Sequence, residues 1–555
     1  MTDLPDGSEP AAAAAPALGR ASAMLASGTV VSRILGFISA LVLAKTIGII
    51  GTGADAFTLA NQLPNAIYAI IAGGLLNAVL VPQIVRARVD SDGGQRFINR
   101  LLTVGIVIFA ALAVLTTLAA PLLVRLYAES GTEGFDGRAI ALATSFAYWC
   151  LPQVFFYALY SLLGEVLNAR GLFGPFTWAP ALNNVIAIAG LVVFGFLFGT
   201  PTGLDADRWT APMIALLAGS ATLGIAAQAL VLFFFWRRAG LRFRPVFGWR
   251  GVGLGRAGKA AAWTFAMILV LQVGGFVETR VASIASGSAS IAVLRYAWLI
   301  FMLPHSVATV SIATPYFTRM SAHGRDDDLA SFRSDLDSSL RRILLIIVFA
   351  SIGLMVIAFP ISAVFAADHS QVEALGTVLI ATLVGLVPYS VLFVIQRAFY
   401  ALEDTRTPFL FQLVQTALFI AGSLVVATFP VDTIAVSLTV VLTIANCVQT
   451  FVAALLLRRR IGSLGAGPVI RQVVWFTLAA LPAAAAGIGV LLALGWVGPG
   501  AYPVSGAVQA VVAMALSGTV MAIVYCAVLA AFRNREFAAI VSPLVRRIRR
   551  PGRSR

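Results

Sequence analysis

The sequence predicts an all-α polytopic membrane protein with about fourteen transmembrane helices, arranged as two pseudo-symmetric six-helix lobes plus two C-terminal helices. Hydrophobic residues make up 59% of the 555 residues and charged residues only 11%, which is too little polar surface for a soluble protein of this length. Apolar runs long enough to cross a bilayer recur from end to end. Positive charge is concentrated in alternate loops, and two pairs of motifs recur at one spacing.

The apolar runs give the order of spans and domains. The predicted spans are 25–49, 54–85, 98–126, 138–167, 175–200, 210–236, 256–285, 289–318, 339–366, 373–401, 407–429, 432–457, 468–496 and 503–532. The predicted domains are a disordered cytoplasmic tail, an N-lobe, a basic cytoplasmic linker, a C-lobe, a C-terminal pair of helices and a basic cytoplasmic tail, at 1–24, 25–236, 237–255, 256–457, 458–532 and 533–555.

Loop charge predicts the orientation, because cytoplasmic loops of membrane proteins are rich in arginine and lysine. The loops after the second, sixth and twelfth predicted spans and the C-terminal tail carry many arginines, whereas AESGTEGFDG, FPVD and GWVGPGAYP carry none. Both termini are therefore expected on the cytoplasmic side of the membrane. The formal net charge of +15 follows from this topology and does not indicate nucleic-acid binding.

An internal repeat supports the two-lobe arrangement. LVPQIVRAR and ATPYFTRMS place Pro82 and Pro315 233 residues apart, and LNARGLFGPF and YALEDTRTPF place Pro175 and Pro408 at the same separation. One separation at two places predicts two parallel halves. Paired bundles of this kind typically enclose a central site and move against each other.

Charged residues inside the spans are the candidates for function, since a charge at the centre of a membrane helix costs about 2.5–3.5 kcal/mol. Arg33 lies well inside the first span, where its guanidinium could bind an anionic headgroup or serve a structural role by bonding backbone carbonyls. The second span contains Pro64 and Asn65, which soften a helix and leave polar groups to be satisfied by neighbours.

The seventh and eighth spans form a predicted hairpin around SGSAS that carries Glu278, Arg280 and Arg295. Glu278 and Arg295 could face each other across it as a buried pair, whereas Glu278 and Arg280, two residues apart, point to different sides of the helix. We expect Arg280 or Arg295 to face the cavity, with Glu278 as a partner or proton site. A purely structural ion pair is the alternative.

Further charges suggest gates. Lys45 and Asp55 flank the first external turn and could pair as an outer gate or form an ordinary interfacial pair. At the cytoplasmic ends of the fourth and tenth spans, a set of charges could latch an inner gate or be solvated helix ends. The inner set comprises Glu165, Arg170, Arg397, Glu403, Asp404 and Arg406.

His305 is expected to be a packed polar residue, and the cysteines are expected to be buried hydrophobes without a metal or disulfide role.

No catalytic constellation or metal-ligand pattern is found in the sequence, so we expect a protein that is not an enzyme and has no cofactor. The outward loops are too short to build the active site of a membrane transferase. No nucleotide-binding loop is present, which argues against direct coupling to ATP.

Five motifs in order resemble the MurJ/MviN family over the whole chain: SRILGF, ADAFTLANQLPN, VPQ, LNARGLFGPFTWAPALNN and FYALEDTRTP. The resemblance implies a lipid II flippase of the MOP superfamily that works by alternating access on an undecaprenyl-pyrophosphate-linked precursor of peptidoglycan. It also implies that the lipid tail follows a groove along the last two spans. Arg33 and Asp55 match the family's cavity arginine and acidic residue.

The sequence departs from the family pattern at several arginine positions. Ser39 and Ala40 stand where many members have arginine, often followed by aspartate, and Tyr68 stands where many have another arginine. Asn65 and Tyr68 are therefore candidate substrate contacts, and Arg280 and Arg295 are expected to replace part of the missing charge.

Three functions stay in view: a lipid II flippase, another MOP-type transporter (a flippase for a different polyprenyl-linked saccharide or an exporter), and a scaffold for cell-wall synthesis or division proteins. Membrane lipids are expected partners. Coupling to the membrane potential, to protons or to sodium is open.

Overall fold

The computed structural model describes residues 11–71, 94–129, 135–247, 258–462, 466–496, 501–534 and 536–539, with the backbone alone for 11–26, 258–261 and 466–468. These residues form nineteen α-helices. The helices are α1 Ala11–Ile47, α2 Thr52–Ile71, α3 Gln95–Leu118, α4 Ala120–Tyr127, α5 Gly137–Cys150, α6 Gln153–Ala169, α7 Phe173–Phe198, α8 Ala211–Leu230, α9 Gly258–Ala282, α10 Ile291–Pro304, α11 Ser311–Arg325, α12 Leu329–Val356, α13 Ala358–Phe365, α14 His369–Val384, α15 Leu386–Ala401, α16 Arg406–Val426, α17 Ile434–Ile461, α18 Ala466–Ala493 and α19 Ala507–Ala531.

The helices confirm an all-α polytopic membrane protein. Within the described ranges, twelve helical segments are long and apolar enough to cross a membrane, or up to thirteen if α14 and α15, bent by 42°, form one span. The second predicted span, 54–85, corresponds to α2 as far as Ile71, and its remainder lies outside the described residues. The predicted count of fourteen is therefore close to the observed one.

Some predicted boundaries differ from the structure. Helix α1 begins at Ala11, inside the segment predicted to be a disordered tail. Helix α12 begins at Leu329, ten residues before the predicted span at 339–366, because the Asp328 carboxylate accepts a hydrogen bond from the Ser331 amide and caps the helix. The predicted span ends were set by hydropathy, and this cap lies outside the apolar stretch.

The chain divides into two compact units, and the first comprises 1–47, 56–125 and 138–262. In this unit α7 packs against α1 and α8, and α3 packs against α6. Small residues line the α1 side of the first contact: a Cβ on Gly28 would lie 2.9 Å from the Trp178 ring, and Asn184 Nδ2 donates to the Ser32 carbonyl at 2.9 Å. Close approach of helices through small residues is common in membranes.

The second unit comprises 48–55, 126–137 and 263–555. Helices α18 and α19 belong to it, since both pack against α12, and the Tyr525 hydroxyl donates to the Leu345 carbonyl at 2.9 Å. The assignment of this last helix pair to a lipid groove stays a prediction. Two short segments from the first half of the chain also belong to this unit, and they carry much of the candidate site.

The repeat and the cysteines can be compared with the prediction. Pro175 and Pro408 each occupy the third position of a helix, α7 and α16, where the missing N–H costs nothing. Pro82 lies outside the described residues.

The expectation of three buried cysteines is wrong for two of them, since Cys150 is buried but Cys447 and Cys526 are exposed on apolar spanning helices. In a membrane such faces contact lipid, which hydropathy alone does not distinguish from a core.

Candidate functional site

Arg33 is exposed within the span Ser27–Ile47. The neighbouring Ser32 faces α7, where Asn184 binds its carbonyl, so the helical rotation of about 100° per residue turns Arg33 away from that seam. No residue of the described ranges forms an ion pair or hydrogen bond with its guanidinium. Arg33 therefore lies on a helix that is packed in place, and its guanidinium stays accessible to a group outside the described residues.

Asn65 and Tyr68 lie on α2 in the first unit. Asn65 is exposed, whereas Tyr68 is partly buried and stacks on Tyr157 with ring centroids 5.5 Å apart. The Tyr68 hydroxyl forms a hydrogen bond with Ser161 and lies close enough to Glu165 for an electrostatic interaction. The structure therefore brings together Tyr68 and Glu165, which the sequence assigned to substrate binding and to a gate.

Asp55 is 1% exposed and is bound by the turn between α9 and α10. Its Oδ1 accepts a hydrogen bond from the Ala292 amide at 2.9 Å, and its Oδ2 accepts one from Ser286 Oγ at 3.1 Å. The Ser290 side chain and the Gly287 backbone also lie near this carboxylate, and Ser290 Oγ donates to the Ala282 carbonyl at 2.8 Å. We call Asp55, Ser286, Gly287, Ser290 and Ala292 the Asp55 cluster.

Asp55 caps the start of α10, although it lies far from this helix in the sequence. Helix α10 begins at Ile291, and the side chain of its N-cap residue, Ser290, makes no capping hydrogen bond. Asp55, 237 residues away in sequence, instead binds the amide of the second helical residue. A carboxylate is well suited to this place, because helix N-termini expose unpaired N–H groups and carry partial positive charge. The predicted pairing of Asp55 with Lys45 stays a prediction.

Gln371 of α14 also binds the segment 48–55, which carries Asp55. Gln371 Oε1 accepts hydrogen bonds from the amides of Ile49 and Ala367, both at 3.3 Å, and its Nε2 donates to Asp368 Oδ2 at 2.8 Å. Burial alone would raise the pKa of Asp368, but hydrogen bonds from Ser370 and Gln371 outweigh it and hold this pKa below its ordinary value. We call Ile49, Ala367, Asp368 and Gln371 the Gln371 clamp.

Arg280 is engaged by the other short segment of the second unit. Its guanidinium forms an ion pair with Glu129 and donates to the Leu126 carbonyl at 2.8 Å. The Glu129 amide donates to Ser283 Oγ at 2.8 Å. We call Leu126, Glu129, Arg280 and Ser283 the Arg280 cluster. The structure thus uses Arg280 to fasten a turn, and its predicted contact with substrate stays a prediction.

The structure places Glu278 near Arg295 at the α9–α10 hairpin, and the prediction that they form a buried pair stays a prediction. They differ in accessibility: Glu278 is partly buried, whereas Arg295 is exposed. Of the two arginines expected to face a cavity, Arg295 is exposed, whereas Arg280 is partly buried and bound to Glu129 and Leu126.

The residues predicted for an inner gate serve several local roles. Asp404 caps α16, accepting hydrogen bonds from the amides of Arg406 and Thr407 at 3.0 and 2.9 Å. Glu403 has a left-handed backbone with φ 57°. The Arg397 guanidinium lies over the Phe317 and Phe393 rings, at 5.2 and 5.0 Å from their centroids. Their role as a latch stays a prediction.

His305 is confirmed as a packed polar residue. It is 2% exposed, its Nδ1 lies 3.2 Å from Ser390 Oγ, and its ring packs edge-on against Tyr389 and Phe393. It begins a π-helical turn, His305–Val310, between α10 and α11.

The sequence interpretation missed several polar residues of the clusters. Ser286 and Ser290 were treated only as parts of a small-residue turn, and Gln371, Glu129 and Ser283 were not singled out. A signal existed for Gln371, since Asp368 precedes α14 and caps it by accepting from the Gln371 amide. The others bind segments remote in sequence, and no local pattern marks such contacts.

Comparison with known proteins gives one consistent family. Residues 43–503 match the family model described as "Lipid II flippase MurJ". A "Probable lipid II flippase MurJ" of Haemophilus influenzae is 28% identical over 68% of this chain and 75% of its own length. A protein of the same description from Vibrio cholerae is 25% identical over 84% of this chain and 86% of its own length.

Solved structures show the same fold. A structure described as "Lipid II flippase MurJ, inward closed conformation" superposes with a TM-score of 0.71 at 18% identity, covering 94% of this chain and 99% of its own. An inward-facing multidrug resistance MATE transporter of the MOP superfamily superposes with a TM-score of 0.62 at 17% identity, covering 78% of this chain and 95% of its own.

Proposed function

Because the chain belongs to the MurJ family of lipid II flippases, we propose that it moves lipid II from the inner to the outer leaflet of a bacterial plasma membrane, with both termini in the cytoplasm. The observation that carries the proposal is the family match over residues 43–503, which includes both units and the Asp55 motif. The family is one of flippases, so the expected activity is transport without covalent chemistry.

The proposed contacts with substrate are Arg33, Arg295 and Asn65, whose side chains are all exposed. Guanidinium groups bind phosphate oxygens through two parallel hydrogen bonds, which suits the pyrophosphate of lipid II. Tyr68 is partly buried and would contribute its ring edge. Arg280 could join them only after its bonds to Glu129 and Leu126 break.

Alternating access requires gates, and we propose that the Asp55 cluster, the Gln371 clamp and the Arg280 cluster together form the outer one. In the predicted topology, 48–55 and 126–137 are outward-facing turns, and each is tied to helices of the second half of the chain. Each hydrogen bond contributes about 0.5–1.5 kcal/mol net, so a group of them can hold one conformation and still be released.

The source of free energy is proposed to be the membrane potential, protons or sodium. One elementary charge crossing the membrane is worth about 2.3 kcal/mol per 100 mV, so movement of Arg33 or Arg295 through the field could reset the transporter. Glu278 is the candidate for a proton or sodium site. Cell-wall synthesis or division proteins are proposed as further partners.

Depletion of the chain in its own host tests the function. A cell-surface enzyme that cleaves only exposed lipid II would report how much of the precursor has reached the outside. We expect the cleaved product to disappear while total lipid II rises. Unchanged exposure on depletion would contradict the proposal, and would favour transport of another polyprenyl-linked saccharide or a scaffolding role.

A further inference from the structure

A basic cavity of about 820 Å³ lies at the end of the first unit, just after α8. It is formed by the end of a short helical turn, Val231–Phe235, and by the turn and irregular chain that follow at 236–244. We call it the Arg242 pocket. The described residues that line it are Phe233, Trp236, Arg237, Gly240, Leu241, Arg242, Phe243 and Arg244.

The charge of the pocket has one sign. Arg237, Arg242 and Arg244 all line it and are all exposed, and no acidic side chain is among its described lining residues. None of the three forms an ion pair with any residue in the described ranges. The usual enrichment of arginine in cytoplasmic loops accounts for their presence, but it does not require them to converge on one cavity.

The walls are apolar and aromatic. Trp236 is 4% exposed and packs against Phe233, and its Nε1 has no hydrogen-bond partner within the described part of the chain. Two more rings, close in sequence to the lining residues, are strongly exposed: Phe234 at 81% and Phe247 at 80%. Aromatic rings beside arginines are typical of the level where lipid headgroups meet acyl chains.

The pocket is held in shape by α3. Gln95 Nε2 donates to the Arg242 carbonyl, and the Val246 amide donates to Thr103 Oγ1 at 3.0 Å. Gly240, with φ +73°, adopts the left-handed backbone that turns the chain between Arg237 and Arg242. A segment fixed in this way loses little conformational entropy when it binds a ligand.

We propose that the Arg242 pocket binds the phosphate headgroup of an anionic phospholipid of the leaflet beside it, with the acyl chains passing along the exposed phenylalanines. The converging guanidinium groups match phosphate oxygens, and the aromatic wall matches the glycerol and upper acyl region. This site is separate from the residues proposed for lipid II. Its binding does not depend on whether the chain transports anything.

Lipid retention during native mass spectrometry tests the proposal. The full chain would be reconstituted in phosphatidylcholine containing phosphatidylglycerol as the minor lipid, extracted in detergent, and the lipids that stay bound identified. The pocket variant is Arg242→Gln with Arg244→Gln. The matched control is Arg458→Gln with Arg459→Gln, which removes equal charge from exposed positions at the end of α17.

We expect the wild type and the control to retain phosphatidylglycerol in preference to phosphatidylcholine, and the pocket variant to retain at least about tenfold less of it. Equal losses in both variants would overturn the proposal, since they would reflect general charge attraction. Displacement of the bound lipid by inorganic pyrophosphate would also overturn it and assign the pocket to a soluble phosphate ligand. Arg242→Lys with Arg244→Lys should recover part of the binding, because the positive charge returns without the bidentate geometry. No recovery in this variant, at a melting temperature equal to that of the wild type, would overturn the proposal.

Discussion

Arg33 and Asp55 are both motif charges near the start of the chain, yet their environments are opposite. Asp55 is 1% exposed and bound by Ser286, Ala292 and their neighbours, whereas Arg33 is exposed and has no partner among the described residues. A buried charge is tolerated when hydrogen bonds satisfy it, and an unsatisfied one is costly. The comparison suggests that Asp55 stabilises a conformation and that Arg33 is kept accessible for a ligand.

The largest effect is expected from Arg33→Ala. Loss of a hydrogen bond to a charged group costs about 1.5–3 kcal/mol, which corresponds to about tenfold or more in affinity. We expect loss of growth in a depleted host while the protein remains folded and at normal abundance. Ile34→Ala, at a neighbouring exposed position, is the matched control. Normal growth of Arg33→Ala would contradict the inference that Arg33, unlike Asp55, is kept accessible for a ligand.

Arg295→Ala should be as severe as Arg33→Ala if this exposed arginine replaces charge that family members carry elsewhere. Growth complementation at matched protein level measures it. Lysine at position 295 should restore part of the function, because the positive charge returns without the bidentate geometry. Wild-type growth of Arg295→Ala would mean that its interaction with Glu278 is structural.

Asp55→Ala should mainly change stability and conformation. Each buried donor left unpaired costs about 1–3 kcal/mol, so the melting temperature of the purified protein should fall. A cysteine placed at Ser288, in the same turn, should also react faster with a membrane-impermeant thiol reagent. Asp432→Ala, at an exposed acid before α17, is the control. Equal shifts in the two variants would show that Asp55 contributes no more than a surface charge.

A smaller effect is expected from the Arg280–Glu129 pair. Its side chains are 36% and 43% exposed, and ion pairs that contact solvent are typically worth about 0.2–1 kcal/mol. A double-mutant cycle on the melting temperature, with Arg280→Ala and Glu129→Ala, would give the coupling. Because Arg280 also binds the Leu126 carbonyl, Arg280→Ala should cost more than Glu129→Ala. The reverse order would contradict this contact.

The smallest expected effect is the contribution of Asp368 to the pH dependence of stability. Because the pKa of Asp368 is lower in the folded protein than its ordinary value of 3.8, its contribution to stability is present above that value and is lost as the pH falls through the folded pKa. Asp368→Asn should therefore reduce stability slightly at neutral pH and make no difference in strong acid. A stability difference that grows toward acid would contradict this sign.

Much of the fold could be predicted because each membrane span is a continuous run of apolar residues, which can be recognised from the local sequence alone. Apolar length located the spans, and the Pro175–Pro408 pair marked equivalent helix starts. The same local information identified Arg33 and Asp55 as charges that needed an explanation. It could not decide whether an apolar helix face meets protein or lipid, which is why Cys447 and Cys526 were misplaced.

The partners of the site residues were harder to predict because they are remote in sequence. Asp55 binds a helix start 237 residues away, and Arg280 binds a carbonyl 154 residues away. Asp404 shows the opposite case: its bonds to Arg406 and Thr407 are a local cap that could have been identified from the sequence before a gate was considered.

The most direct test of the account uses the purified chain in vesicles that contain fluorescent lipid II. A membrane-impermeant quencher added outside reports how much label has crossed from the inner leaflet, with and without an imposed membrane potential. We predict that wild-type protein exposes the protected label and that Arg33→Ala exposes far less at equal reconstitution. Label movement no faster with the wild-type chain than in protein-free vesicles, under either condition, would contradict the claim that this chain flips lipid II.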